Sequence, residues 1–310
     1  MPPETNSRAL GGATTLVTGA TGFIGSHLCR RLLAAGAGVY ALSRSPQDNT
    51  SGILWRKADV ADADSVRRVI AEARPDYVFH LASLVSGARD LALVEPTFSA
   101  NLLSTVNVLT GAAEIGCKRM VLTGSLEEPL GEIEPIPCSP YAAAKFAATA
   151  YARMFHALYG LPVAMLRLFM VYGPAQKDLR KLIPYVTLSL LREERPKISS
   201  GTRLVDWIYV EDVVESILQA ATADGAVGKV IDIGSGELVS IREIVEKLSA
   251  IVNPKLAPAF GGIPDRPMEQ VRRANAALSR EILGWKASIS LDKGLRRTVE
   301  WYRAHLKELS

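Results

Sequence analysis

The chain is expected to fold as an α/β protein: a doubly wound parallel sheet with helices on both faces, then a smaller, mainly helical C-terminal lobe. Two observations predict this. From Thr14 to Phe169 short β-branched or apolar runs alternate with longer amphipathic ones, the rhythm of βαβ units joined by right-handed crossovers. After Phe169 that rhythm breaks and helical segments dominate. The length of 310 residues agrees, being long for one hydrophobic core.

The strand candidates in order are "TTLVTG", "GVYALS", "GILWRKA", "DYVFHLA", "KRMVLTG" and "LPVAMLRLF". Between them lie the helical segments "GSHLCRRLLAAG", "DADSVRRVIAEA" and "EPTFSANLLSTVNVLTGAAEIG", and later "PYAAAKFAATAYARMFHALYG". Residues 1–169 are therefore expected to form the sheet domain, with 204–236, containing the strand-like "DWIYV" and "KVIDIGSG", returning to it. Residues 170–203 and 237–310 are expected to form the smaller lobe, which includes "SIREIVEKLSAIV" and "LDKGLRRTVEWYRAHL".

A formal net charge of +4, with Lys and Arg spread along the chain, gives no footing for nucleic-acid binding. Three widely spaced cysteines fit a reducing compartment and form neither a disulfide framework nor a C-x-x-C metal site. "MPPETNSRALGG" has no apolar signal core, and no apolar run approaches the ~18 residues needed to span a bilayer. The expectation is a cytoplasmic protein with no membrane partner and no metal.

"LVTGATGFIGSHL" sets Gly19, Gly22 and Gly25 three apart between a strand and a helix, with Phe23 and Ile24 opening that helix. Glycine is needed where φ is positive or where backbone must lie against a ligand. A helix N-terminus offers free N–H groups and a positive dipole end to a pyrophosphate. The loop is read as the dinucleotide site of a Rossmann domain, although its spacing holds one more residue between the first two glycines than the G-x-G-x-x-G rule.

The second strand ends at Ser43 and Arg44, where a carboxylate would select NAD(H) through the ribose 2′-hydroxyl. With no carboxylate there and a guanidinium available for a 2′-phosphate, NADP(H) is favoured over NAD(H). Asp59 and Val60 follow the third strand; Asp59 either meets the adenine ring or caps the next helix.

"SPYAAAK" places Tyr141 and Lys145 four apart, on one face of a helix. A free phenol titrates near pH ~10, and a neighbouring ammonium favours its ionised form. Ser125, at the carboxyl end of the strand "RMVLTG", offers a hydroxyl to a substrate oxygen where ligands bind in such sheets. Thr123 is the weaker candidate because it falls within the strand.

With these motifs the chain resembles the extended short-chain dehydrogenases/reductases of the nucleotide-sugar epimerase/dehydratase type. The resemblance runs from "TGATGFIG" through "PDYVFHLAS", "SANLLSTVNVL", "SPYAAAK", "LRLFMVYGP" and "DWIYVEDV" to "LGWKASISLDKGL". It implies Tyr141 as acid/base, Lys145 as the group that binds the ribose and tunes the tyrosine, and Ser125 as helper. It also implies that Leu81, Ala82 and Ser83 of "HLAS" pass beside the nicotinamide and that Asn101 braces the strand ends. Arg266 of "PDRP" resembles the arginine that pairs with a sugar-nucleotide diphosphate. Arg203 is a second such contact or a surface ion-pair residue. A homodimer is implied, through the helices after Pro96 and from Pro140.

Some positions depart from the family pattern. Met170 stands where an asparagine commonly meets substrate. Tyr141 follows Ser125 by only 16 positions, so the intervening loop, with Cys138 in it, is expected to be short. Glu127 stands where related 4,6-dehydratases carry acid/base carboxylates, but Leu126 replaces the Asp many of them hold. "S-x-E-E" resembles instead reductases of nucleotide-linked 4-keto sugars. The expected activity is hydride transfer at carbon 4 of a nucleotide-diphosphate sugar, first as an NADPH-dependent 4-ketoreductase. The alternative is a 4-epimerase with tightly held NAD(P), and a 4,6-dehydratase is the less favoured reading.

Overall fold

The computed structural model describes residues 10–48, 52–129, 131, 136–265 and 270–309. The chain divides into two compact units. The first comprises Met1–Leu168, Val214–Asp232 and Ala277–Trp285; the second comprises Phe169–Val213, Ile233–Ala276 and Lys286–Ser310.

The first unit opens with β1 (Thr14–Thr18), α1 (Phe23–Ala34), β2 (Gly38–Ser43), β3 (Ile53–Lys57), α2 (Ala63–Ala73) and β4 (Tyr77–His80). A continuous helical run follows: α3 (Val94–Thr97), a π-type turn over Phe98–Leu103, and α4 (Ser104–Ile115). Then come β5 (Arg119–Ser125), α5 (Pro140–Tyr159) and β6 (Val163–Leu168). The strands lie in the order β3-β2-β1-β4-β5-β6, with β9 (Val230–Ile233) completing a seven-stranded sheet beside β6. Every pairing from β3 through β6 is parallel. Winding reverses between β1 and β4, which opens a crevice at the carboxyl ends of those strands.

Sequence explains these elements locally. β5 is buried along its whole length, as a central parallel strand requires. Asp62 caps α2 by accepting from the Asp64 amide at 3.1 Å. Ser139 caps α5 by accepting from the Ala142 amide at 3.1 Å, with Pro140 in the first turn. Gly160, at φ 67°, ends that helix. Leu16, Val78, Met120, Leu122 and Met165 from the strands meet Ile70, Leu109 and Phe155 from the helices in one core.

The second unit contains β7 (Met170–Tyr172), α6 (Leu182–Leu191), β8 (Leu204–Tyr209), β10 (Leu238–Ser240), α8 (Ile241–Val252) and α10 (Leu291–Ala304). α7 (Val210–Thr222) begins here and passes into the first unit, which also holds most of α9 (Ala276–Leu283). β8 pairs parallel with β7 and antiparallel with β10 in a separate three-stranded sheet. This narrows the segment expected to return over 204–236: only Val214–Asp232 joins the first unit, and "DWIYV" stays with the second. The core here gathers Trp207, Tyr209, Ile183, Val186, Leu248 and Leu295. Among the described residues no helix is long and apolar enough to cross a membrane, and no group of three His, Cys, Asp or Glu is placed to hold a metal ion.

Candidate active site

The three glycines of the loop after β1 do three different jobs. Gly19 has φ +71°, and a Cβ there would lie 2.6 Å from the Ala82 nitrogen, so the loop packs on the Leu81–Ala82 backbone beyond β4. A Cβ at Gly25 would collide with the Gly19 carbonyl oxygen, so helix α1 lies tight against the loop. Gly22, which caps α1, would meet only the Gly19 carbonyl oxygen at 3.0 Å and otherwise faces open space. A tight turn, an open middle position and close helix packing are what a bound pyrophosphate demands of this loop. The residues fit a dinucleotide, with Phe23 and Ile24 presenting the amides of the first helical turn.

At the end of β2, Ser43 Oγ accepts from the Ser45 amide at 3.3 Å. Arg44 is exposed there, and no carboxylate among the described residues forms an ion pair with it. Of the two roles open to Asp59, capping is excluded because Asp62 caps α2; the Asp59 carboxylate accepts from the Ala61 amide at 2.9 Å and is exposed. The Val60 carbonyl is held by Asn107 Nδ2 at 3.1 Å.

Tyr141, Lys145 and Ser125 are buried together, at 7%, 3% and 6% exposure. Lys145 Nζ donates to the Thr123 carbonyl oxygen at 2.8 Å, which ties the helix face to the end of β5. Burial draws the ammonium down to about 8, and the Glu128 charge works against that. The Tyr141 phenol shifts opposite to the sequence expectation: burial pushes it above its ordinary value, and the charges of Glu127 and Glu128 push the same way. Hydrogen bonding from the Ser125 hydroxyl offsets part of this. Ser83 Oγ also faces the phenol, yet it is buried without a well-formed hydrogen bond. A phenol raised in this way keeps its proton near neutrality.

Asn101 sits in the π-type turn and grips the loop after β4 from both ends of its amide. Its Oδ1 accepts from the Leu84 amide at 2.7 Å, and its Nδ2 donates to the Leu84 carbonyl at 3.0 Å. Such turns recur at functional sites because they re-aim side chains. Glu127 is half-buried; its amide donates to Ser125 Oγ at 3.1 Å and its carboxylate accepts from Ser139 Oγ at 3.3 Å. Thr123 Oγ1 is committed to the His80 carbonyl at 3.3 Å, which leaves Ser125 as the available hydroxyl. Cys138 is half-buried and lines an apolar cavity of about 630 Å³ with Phe98 and Leu102, while its carbonyl accepts from Arg89 Nε at 2.8 Å.

In the second unit, Met170 pairs with Trp207 in the register of β7 and β8 and is half-buried. Arg203 donates to the Gln270 carbonyl at 3.3 Å. Arg266 lies outside the described residues. Sequence reasoning missed two buried groups of the first unit. His80 contacts Thr18 Oγ1 at 2.7 Å and Thr105 Oγ1 at 3.1 Å. Glu128 is 1% exposed. The only signal for either was a polar residue beside a buried strand end.

A serine at a strand end, facing a tyrosine that shares one helix face with a lysine, on the sheet that carries the glycine loop, defines an oxidoreductase of the extended short-chain dehydrogenase/reductase class. Residues 15–234 match the model of the NAD dependent epimerase/dehydratase family. The chain is 33% identical to UDP-glucose 4-epimerase of Mycolicibacterium smegmatis, across 93% of this chain and 98% of that one. It is 30% identical to a probable dTDP-glucose 4,6-dehydratase of Sinorhizobium fredii, across 93% and 92%. A crystal structure of Thermus thermophilus UDP-glucose 4-epimerase in complex with NAD superposes with a TM-score of 0.80 at 28% identity, covering 93% of this chain and 98% of that one. The chain belongs to the NAD dependent epimerase/dehydratase family and is an NAD(P)-dependent enzyme.

Proposed function

We propose that the enzyme acts at carbon 4 of a nucleotide-diphosphate hexose, and that it epimerises that centre. The observation that carries the chemistry is the convergence of Tyr141, Ser125 and Lys145 on one buried point at the carboxyl end of the sheet. Likeness over nearly the full length to two UDP-glucose 4-epimerases supports epimerisation ahead of the 4-ketoreduction that the sequence favoured. Leu126 is a buried apolar side chain, which supports neither reading but weighs against a dehydratase that needs an acid at that position.

The nicotinamide of a bound dinucleotide supplies and receives the hydride. Tyr141 holds the proton that the sugar 4-oxygen gains or loses, and Ser125 Oγ donates to that oxygen and fixes its orientation. Lys145, anchored on the Thr123 carbonyl, sets a positive charge on the tyrosine's own helix face. Burial of the group strengthens each of these interactions by excluding water. Arg203 and Arg266 are proposed to meet the substrate diphosphate, Met170 to line the sugar pocket and Glu127 to border the reacting centre. A homodimer is supported by the exposed Phe98, Phe146 and Tyr151, which are 50%, 40% and 42% accessible on helical surfaces; light scattering of the purified protein tests it.

The reading is tested by incubation with UDP-glucose and UDP-galactose. Interconversion without net loss of cofactor is the expected result. Stoichiometric consumption of NADPH with a 4-keto sugar would restore the 4-ketoreductase. Tyr141→Phe is expected to lower kcat by about 10²–10⁴; full activity in that variant would remove the tyrosine from the chemistry.

A further inference from the structure

Directly behind the catalytic serine lies a carboxylate with no assigned role. Glu128 is 1% exposed. Its Oε1 accepts from the Ser125 amide at 2.6 Å, and its Oε2 accepts from Thr149 Oγ1 at 2.9 Å. Arg167 Nη2 stands 3.8 Å from that second oxygen, while Arg167 Nη1 is bound to Asp232 at 2.9 Å. Burial pushes the Glu128 carboxyl above the usual carboxylate range, and the Ser125 amide, the Arg167 charge, the Thr149 hydroxyl and the Lys145 charge all work against that by favouring the ionised form. A Cβ at Gly124 would collide with Glu128 Oε1, so the glycine before the catalytic serine exists to admit this group. Thr149 follows Lys145 by four residues, as Lys145 follows Tyr141, so the three share one face of α5.

We propose that Glu128 is a positioning residue of the reaction: its carboxylate fixes the main chain of Ser125 and is the counter-charge to the Lys145 ammonium. Hydrogen bonds thus reach the serine main chain directly, and Thr149, one turn along α5 from Lys145, brings the same carboxylate onto the lysine's helix face. The charge is felt at Lys145, where it opposes the effect of burial. Of the other ionisable groups on neighbouring elements, His80 on β4 feels the Lys145 charge, Glu127 beyond β5 acts on Tyr141 of α5, and Arg167 on β6 pairs with Asp232 on β9. His80 is buried and its pKa is depressed to about 3, so it stays neutral across the working range, and Glu128 is the carboxylate whose charge acts on Lys145. The proposal rests on the reading of Ser125, Tyr141 and Lys145 as the catalytic group.

The test is read without substrate, so it fails separately from that reading, which Tyr141→Phe turnover addresses. Protein carrying ¹³C-labelled lysine is titrated by NMR as wild type, Glu128→Gln and Glu128→Asp. In Glu128→Gln the Lys145 titration should move down by about one pH unit or more, while the thermal transition stays sharp. Glu128→Asp, which keeps the charge at shorter reach, should restore most of the wild-type value. An unmoved Lys145 in Glu128→Gln, or equal displacement in both variants, would reduce Glu128 to a packing group. If Glu128→Gln does not fold, the wild type decides: the ¹³C-labelled Glu128 carboxyl must sense the Lys145 titration near pH 8, and a flat response overturns the proposal.

Discussion

Two buried carboxylates, one in each unit, are equally hidden and differently employed. Glu128 and Asp206 are each 1% exposed. Asp206, on β8, accepts from the amides of Ser235, Gly236 and Ala274 at 2.7, 3.0 and 3.0 Å and from the Ser235 hydroxyl at 2.7 Å. Its donors lie in the turn after β9 and in the irregular segment before α9, with no cation among these bonds. Asp212 repeats the pattern, taking the Ser288 amide, the Ser288 hydroxyl and the Ile289 amide at 3.0, 2.8 and 3.0 Å. Glu128 takes one amide and one hydroxyl, then faces Arg167, and its charge acts on Lys145. An anion saturated by main-chain donors holds loops together. An anion left facing ionisable groups can set their charge.

The comparison predicts separate failures. Asp206→Ala strips the partner from three amides and a hydroxyl at once, and should cost about 3–5 kcal/mol of stability. Urea denaturation measures it, and a loss below about 1 kcal/mol would mean that water replaces the carboxylate and that Asp206 is not a fastener. Glu128→Gln should behave in the opposite sense, with a modest stability change and a large change in the charge of Lys145.

His80 sharpens the contrast from the cationic side. Its ring is buried between two threonine hydroxyls, and burial with the nearby Lys145 charge depresses its pKa from 6.5 to about 3. The folded state therefore binds fewer protons than the unfolded state between those values. Its stability is complete above about pH 6.5 and declines as pH falls toward about 3, by about 1.4 kcal/mol for each unit within that window. His80→Gln should flatten this acid slope, as read from denaturation midpoints at a series of pH values. A slope unchanged by the substitution would assign acid sensitivity to other groups.

These contrasts also mark what sequence could reveal. The Tyr141–Lys145 face and the glycine loop were legible because spacing of four on a helix and three in a turn fixes geometry within a few residues. Ser125 was legible because a strand end has a known place in a doubly wound sheet. Glu128 was not, since its partners Thr149 and Arg167 stand 21 and 39 positions away and only folding brings them near. The same limit misplaced "DWIYV": an apolar strand looks alike in either sheet, and pairing with Met170–Tyr172 decides which one it joins. The raised phenol of Tyr141 was missed for a related reason. The ammonium four residues away was visible in the sequence, while the burial that outweighs it was not.

Arg44 carries the smallest expected effect and places the comparison at the surface. It is an exposed cation at the end of β2, where Ser43 Oγ receives the Ser45 amide at 3.3 Å and no carboxylate stands in the sequence position that would select a ribose hydroxyl. A guanidinium there can pair with the 2′-phosphate of NADP(H), and that contact is absent with NAD(H). Arg44→Ala should therefore lower the NADPH-to-NADH affinity ratio about tenfold, a difference of about 1.4 kcal/mol, as measured by fluorescence titration of both cofactors. Because the pair is exposed, the ratio should also fall in the wild type as salt is raised past the range where the screening length drops below about 8 Å. The Lys145 titration, governed by a buried anion, should barely respond to the same salt. A ratio indifferent to both salt and Arg44 would mean that the site does not read the 2′-position through this residue, and the sequence expectation of NADP(H) over NAD(H) would fall.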